Sequence, residues 1–243
     1  MSKYKVVIVG GGFGGVKAAI ELAYSGNFDL TLISSSPDFR VYPTLYHTAT
    51  GGSKKVSSIP LAEIFENRKI DIIYDTATKI DRKNHTVRTE SGKTYGYTAL
   101  ILSLGVNTNY FGIKGLEKYS YGIKSLTEAE ELKNDLHEKI LRSQLEKMHY
   151  VVIGGGPTGV ELAGVLPRYI ERIAKFHDLP KRKIHVDLIE AAPRLLPRLP
   201  KDISRSVTKN LRKQGVRIYL NTAVQGQTSD SLMIHGKPIR SHV

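Results

Sequence analysis

The chain contains no cysteine and no tryptophan among its 243 residues. The first absence excludes disulfide frameworks, thiolate metal sites and every reaction that runs through a redox-active cysteine pair within this chain. Its eight histidines show no pair at i, i+4 spacing with a nearby acid, so neither a zinc nor an iron site is expected. No stretch approaches the ~18 uninterrupted apolar residues that a membrane-spanning helix needs. The opening "MSKYK" leads into a strand without the apolar core of a secretory signal, and an intracellular protein is expected. Acids are scarce as well: 23 Asp and Glu against 36 Lys and Arg leave a net charge of +13 and a pI of about 9.7. Such a surface attracts nucleic acid, an anionic bilayer or phosphate-bearing cofactors, or it is simply a solvated basic face. With 40% hydrophobic and 24% charged residues, disordered and fibrous classes are set aside.

What the chain does have is a glycine knot, twice. "YKVVIVGGGFGGVKAAIELA" opens it, and "YVVIGGGPTGVELAGVL" returns 144 residues later, counted from Gly10 to Gly154. Each places G-x-G-x-x-G between a short β-branched run and a small-residue helix pattern. The first glycine permits a tight turn, the second lets backbone approach a pyrophosphate, and the third lets helix and strand pack closely. The helix N-terminus then offers free N–H groups to phosphate. Gly10, Gly12 and Gly15 form the first set; Gly154, Gly156 and Gly159 form the second. Glu190 ends the strand "HVDLIE", where a carboxylate can accept two hydrogen bonds from a ribose and repel a 2′-phosphate. NADH is therefore favoured over NADPH, a preference weakened by the nearness of Arg194. The equivalent strand end in the first unit holds Ser34. A neutral hydroxyl there contributes about 1 kcal/mol where a carboxylate contributes about 1.5–3 kcal/mol.

Around the knots the pattern reads as follows. Strand 5–9, a helix closing at Gly26 and strand 28–34 form a right-handed parallel crossover. Residues 37–60 read as a long ordered loop with one short helical turn, and 61–65 as one or two helical turns. A strand is expected at 71–81, then a small antiparallel meander and a buried strand at 99–104. A helix begins near Leu126 with Thr127 and Glu130 as capping box and runs to about 147. Further helices fit 157–176 and 202–215, and short strands fit "VRIYL" and "SLMIHG". The ending "GKPIRSHV" shows no stop signal and reads as cut. The fold class expected is α/β, with two Rossmann-like dinucleotide-binding domains, 1–112 and 113–243, the first carrying the meander.

The motifs "GGGFGGVKAA", "PTLYHTATG", "NYFGIKG", "GGGPTGVELAG" and "EAAPRLLPRLP" closely resemble type II NADH:quinone oxidoreductases, over essentially all 243 residues. That resemblance implies a first domain for FAD and a second for NADH. It implies hydride transfer from NADH to flavin, then electron delivery to a quinone. Disulfide reductases and sulfide:quinone reductases of the same superfamily work through cysteines and are set aside. Gly10, Gly12, Phe13 and Gly15 would cradle the FAD pyrophosphate, with Ser34 and Ser35 near its ribose and Ala77 at its adenine. Pro43, Thr50, Ser103, Leu104 and Gly105 would lie near the flavin. Gly154, Gly156, Pro157, Thr158 and Gly159 would hold the NADH pyrophosphate, Glu190 its ribose, and Glu161 would act where nicotinamide and quinone meet. Tyr46 and His47 read as packing in an ordered loop.

By the same resemblance both domains are incomplete. The second would lack its last strand, and the FAD glycine-aspartate motif and membrane-seating helices would lie beyond residue 243. The partners implied are NADH, a quinone or other acceptor, an anionic membrane surface on the cytoplasmic inner face, and a second copy of the chain. Nucleic acid is not expected. Two other readings stay open. One is a soluble NAD(P)H-dependent flavoprotein reductase of the ferredoxin-reductase or apoptosis-inducing-factor type. The other is a shortened, non-catalytic dinucleotide-binding module.

Overall fold

The computed structural model describes residues 4–142, 147–180 and 183–241, and the chain divides into two compact units. Unit 1 comprises Met1–Tyr42 and Lys54–Asn107; unit 2 comprises Pro43–Ser53 and Thr108–Val243.

In unit 1, β1 (Tyr4–Val9), α1 (Phe13–Ser25) and β2 (Phe28–Ser34) build the expected crossover, with Val6 opposite Leu30 and Val9 opposite Ile33 in parallel register. β3 (Asp38–Arg40) and β4 (Ser58–Pro60) pair antiparallel, and between them lies α2 (Leu45–Ala49), which belongs to unit 2. Residues 37–60 are therefore a clasped excursion and not a plain loop. The clasp is closed by the strand pairing and by the Ser58 hydroxyl, which donates to Asp38 Oδ2 at 2.8 Å.

α3 (Leu61–Ile64), β5 (Asp71–Tyr74), β6 (Ala77–Asp81), β7 (Thr86–Thr89), β8 (Thr94–Gly96) and β9 (Ala99–Leu102) complete the unit. The single strand expected at 71–81 breaks in two. Asp75 N–H donates to the Ser34 carbonyl at 2.9 Å while its carboxylate accepts from Thr76 N–H at 2.7 Å, which turns the chain out of the first sheet. The parallel sheet has the order β5-β2-β1-β9, and β6-β7-β8 form the meander. Val6, Ile8, Leu30 and Leu32 pack with Val16, Ala19, Leu61 and Phe65. Val7, Val9 and Ile33 pack with Val87 on the other side. With both faces covered, an uninterrupted apolar strand is what the fold requires.

Unit 2 continues with α4 (Leu116–Tyr119), α5 (Leu126–Arg142), β10 (Lys147–Ile153), α6 (Pro157–Phe176) and β11 (Lys183–Ile189). α7 (Lys201–Lys213), β12 (Arg217–Tyr219), β13 (Val224–Gln227), β14 (Ser231–Ile234) and β15 (Lys237–Arg240) follow. β10-β11-β12 are parallel, and β13-β14-β15 form an antiparallel sheet whose last strand occupies the ending that read as cut. The cap of α5 is two residues earlier than expected. Ser125 Oγ accepts from Glu128 N–H at 3.1 Å, and Glu128 Oε2 accepts from Ser125 N–H at 2.9 Å. Thr127 already lies in the first turn, where its hydroxyl cannot serve as an N-cap. The end of the expected helix, 143–146, lies outside the described residues.

The expected domain boundary after residue 112 differs from the division after Asn107, and Pro43–Ser53 passes to unit 2. The reason is packing. Leu45 and Ala49 on α2 are fully buried, and α2 lies against α5 and α6. Arg172 on α6 donates to the Thr50 carbonyl at 3.1 Å. Gly51 sits so close that a Cβ there would lie 2.7 Å from the Tyr169 ring.

Candidate functional site

The two knots are closed by the same backbone bond. Gly10 N–H donates to Ile33 O at 2.8 Å, and Gly154 N–H donates to Ile189 O at 2.8 Å, so each turn is hung from the end of the neighbouring strand. Both first glycines have positive φ, +112° and +104°. A Cβ on Gly15 would collide with the Gly10 carbonyl, and one on Gly159 with the Gly154 carbonyl, which is why helix and strand approach only with glycine there. By contrast, a Cβ on Gly12 or Gly156 would meet nothing within 4 Å. Their backbones are extended, φ −88° and −75°, and open to any residue. Neither the fold nor the backbone asks for glycine at these two positions. The space outside them is open, as the close approach of a dinucleotide pyrophosphate would need.

No side chain caps α1 or α6, and neither first turn holds an acid. The leading N–H groups and the positive end of each helix are thus left for an anion. Pro157 takes the first position of α6, where a missing N–H costs nothing.

The first knot opens onto a cleft of ≈ 340 Å³. Gly10, Gly12, Phe13, Ser34 and Ser35 line it together with Ser103, Leu104 and Gly105. Gly15 lies beneath it against Ile8, and Ala77 stands apart on the meander strand β6. Pro43 and Thr50 belong to unit 2. Ser34 is nearly fully buried; its hydroxyl donates to Ser36 O at 2.7 Å and accepts from Ser36 N–H at 3.3 Å. It therefore shapes the cleft floor more than it offers a free hydroxyl. Asp38, Arg40 and Tyr42 also line the cleft and were missed from sequence. Their signal was the aromatic-rich stretch after β2, which the β3–β4 clasp folds back over the knot. Phe13, half exposed, packs edge-on against Phe39 with centroids 4.8 Å apart.

At the second knot Glu190 holds the turn itself. Its Oε2 accepts from Gly155 N–H at 2.5 Å and its Oε1 from Ala192 N–H at 2.7 Å. A Cβ on Gly155 would lie 2.6 Å from Leu195 Cδ2, so the middle glycine, unmarked in the motif, is closely packed by side chains that would have to shift for any larger residue. Arg194 is not free: its guanidinium donates to the carbonyls of Leu196, Pro197 and Leu199. Gly154, Thr158 and Gly159 border a cavity of ≈ 320 Å³, walled also by Tyr110, Tyr121 and Tyr150; Gly156, Pro157 and Glu190 lie outside it. Glu161 is exposed on α6, makes no hydrogen bond or ion pair among the described residues, and its carboxyl is pushed above the usual range by partial burial.

Comparison with known proteins bears on this arrangement. The family model for pyridine nucleotide-disulphide oxidoreductases matches residues 4–238. The chain belongs to that family. A type II NADH:quinone oxidoreductase of Mycobacterium tuberculosis is 31% identical over 237 residues, covering 91% of this chain and 51% of that protein. A protein of the same name from Staphylococcus saprophyticus is 26% identical over 231 residues, covering 90% and 57%. The structure of NDH2 from Plasmodium falciparum in complex with NADH superposes with a TM-score of 0.87 at 23% identity, covering 99% of this chain and 54% of that one. The sulfide:quinone oxidoreductase of Aquifex aeolicus gives 0.84 at 25% identity, with 99% and 57% covered. The chain spans about half the length of the curated relatives it matches. It is an α/β oxidoreductase-family chain with the dinucleotide-binding fold, and it lacks the cysteines of that family's disulphide-reducing members.

Proposed function

We propose that this chain is the nucleotide-binding half of an NADH:quinone oxidoreductase, with FAD at the Gly10–Gly15 knot and NADH at the Gly154–Gly159 knot. One observation carries the reading: in both units the second glycine faces open space beside an uncapped helix N-terminus. FAD, when bound, supplies a two-electron acceptor that can afterwards release electrons to a quinone. Gly12, Phe13 and the first-turn N–H groups of α1 would bind its diphosphate, while Ser103, Leu104 and Gly105 close the cleft. Gly156, Thr158 and Gly159 would bind the NADH diphosphate. Glu190 would receive the adenine ribose through the acceptor capacity its two backbone bonds leave free. With Arg194 pinned by three carbonyls, its guanidinium is not free to meet a 2′-phosphate, which supports NADH over NADPH. Glu161, with its raised pKa, would hold or release a proton near the reacting end of NADH.

A quinone as acceptor and a seat on the inner face of the membrane are part of the same proposal. The relatives' names support the first. The net charge of +13 supports the second, as does α7, where Lys201, Arg205, Lys209, Arg212 and Lys213 are without ion pairs among the described residues. Among the described residues no helix is long and apolar enough to cross a membrane. A homodimer is proposed on the resemblance alone.

The test is direct. The purified chain, loaded with FAD, should show flavin absorbance that bleaches anaerobically on addition of NADH. A protein that takes up neither FAD nor NADH overturns the proposal.

A further inference from the structure

A pair of histidines lies outside both knots. His137 on α5 and His177, which follows the last residue of α6, bring their Nε2 atoms to 3.2 Å, with ring centroids 5.1 Å apart and planes at 84°. Forty residues separate them, so no spacing rule flags them. In the neutral pair one Nε2–H donates to the other Nε2. A shift of that proton to Nδ1 of the donating ring leaves two convergent lone pairs. Two metal–nitrogen bonds of about 2.0–2.1 Å, at angles between a right angle and tetrahedral, hold their nitrogens about 2.8–3.4 Å apart. The observed separation falls inside that interval before any ion is bound.

His137 lines an open groove of ≈ 500 Å³ together with Asn134, Glu138, Arg142 and Tyr169, and both histidines are partly exposed, so solvent reaches the pair. No third ligand joins: no group of three or more His, Cys, Asp or Glu gathers to hold a metal among the described residues, and the neighbouring Glu138 carboxylate is held by Arg142 at 2.5 Å. A donor set of two imidazoles excludes magnesium and calcium, which demand oxygen, and suits Cu²⁺ first, then Ni²⁺ and Zn²⁺. The other histidine pair lacks this geometry. His149 and His185 stack face to face at 4.8 Å with planes 29° apart, and the Arg217 guanidinium lies 3.4 Å from His149 Nδ1.

We propose that His137 and His177 form a bidentate site for a divalent transition-metal ion, with water completing its coordination, and that the ion fastens α5 to the C-terminal end of α6. The untagged 243-residue chain is titrated with Cu²⁺ and its electron paramagnetic resonance spectrum recorded at one equivalent. A 1:1 complex with hyperfine splitting from two nitrogens is expected. His137→Ala and His177→Ala should each weaken Cu²⁺ binding about a hundredfold, because each turns a chelate into a single ligand. His185→Ala should leave it unchanged. Cu²⁺ should also raise the unfolding midpoint of the parent chain and not of either single variant. The parent spectrum decides even if a variant fails to fold: one nitrogen or none overturns the proposal, as does a folded single variant that keeps the parent's affinity.

Discussion

In unit 1 the first glycine of the knot, Gly10, lies against the backbone carbonyl of Ser103, because β9 runs beside β1. In unit 2 the matching glycine, Gly154, has nothing within 4 Å of where its Cβ would be, since among the described residues β10 is an edge strand paired with β11 alone. The strand ends differ too. Ser34 turns its hydroxyl inward to Ser36, whereas Glu190 points a carboxylate at the Gly155 N–H. The same motif is thus enforced by different neighbours. Three requirements act within each knot: a backbone angle at the first glycine, a close helix–strand approach at the third, and an open space at the second. Substitutions can separate them.

The largest effects belong to the third glycine, where the two units should behave alike. Gly15→Ala and Gly159→Ala each drive a Cβ into the carbonyl of the first glycine, which cannot rotate away. Overpacking costs about 1–3 kcal/mol where side chains can yield, and more where backbone must move. Each variant should lower the thermal midpoint of its unit sharply or prevent folding, as followed by circular dichroism. If only one unit is affected, the equivalence of the two knots is lost.

The first glycine should divide them. Both Gly10→Ala and Gly154→Ala incur the strain of positive φ, about 1–3 kcal/mol. Only Gly10→Ala adds the collision with Ser103. Unfolding in urea should therefore show Gly10→Ala as the more damaging, and equal losses would mean that the strand beside β1 is not what holds that glycine.

The second glycine should leave stability alone and remove binding. Gly12→Ala and Gly156→Ala place a methyl group in open space on extended backbone, so the unfolding midpoint should hardly change. Gly156→Ala should weaken NADH by about tenfold, or about 1.4 kcal/mol, and leave FAD uptake intact; Gly12→Ala should do the reverse. Fluorescence titration with each nucleotide reads both. Variants that bind as the parent does would mean that neither space is a nucleotide site.

Glu190→Gln comes next. One of its two backbone bonds loses its acceptor, a loss of about 1–3 kcal/mol when the donor stays buried, and the negative charge that disfavours a 2′-phosphate disappears. The ratio of NADH to NADPH affinity should fall without inverting, because Arg194 remains bound to its three carbonyls. An unchanged ratio would place the discrimination elsewhere.

Much of this was legible from sequence because glycine spacing and β-branched runs are local. The strand–helix–strand units, the meander and α6 with its bounds at 157 and 176 all follow from patterns within a few turns of chain. What escaped depends on contacts between distant residues. The excursion 43–53 joins unit 2 through Leu45, Ala49 and the Arg172–Thr50 bond, more than a hundred positions apart. The restraint on Arg194 is fixed by carbonyl directions, which composition cannot show. Gly11 and Gly155 look like spare members of a glycine run until the strand-end side chains Ser34 and Glu190 are seen pressed against them.

The smallest effect concerns where unit 1 keeps a strand-end carboxylate. Unit 2 carries its acid on the strand next to the knot; unit 1 carries Asp75 one strand further out, with its N–H on the Ser34 carbonyl. Its carboxylate turns to the meander, where the Ser91 hydroxyl donates to Oδ2 at 2.5 Å. Hydrogen bonds from Ser91 and then Thr89 lower its pKa from 3.8 to about 2. A depressed folded value means that the stabilisation is present above the unfolded pKa and disappears as pH falls through about 2. Because the group sits at the surface, where solvent screens it, the contribution to stability is small, and the titration itself is the measurement. In Ser91→Ala, the Asp75 carboxyl followed by NMR should move back toward 3.8. The pH dependence of unfolding below pH 4 should flatten slightly, while nucleotide binding at both knots stays as in the parent. A variant that lost FAD uptake would show that this carboxylate supports the first cleft after all, and that the two units handle their strand-end acids alike.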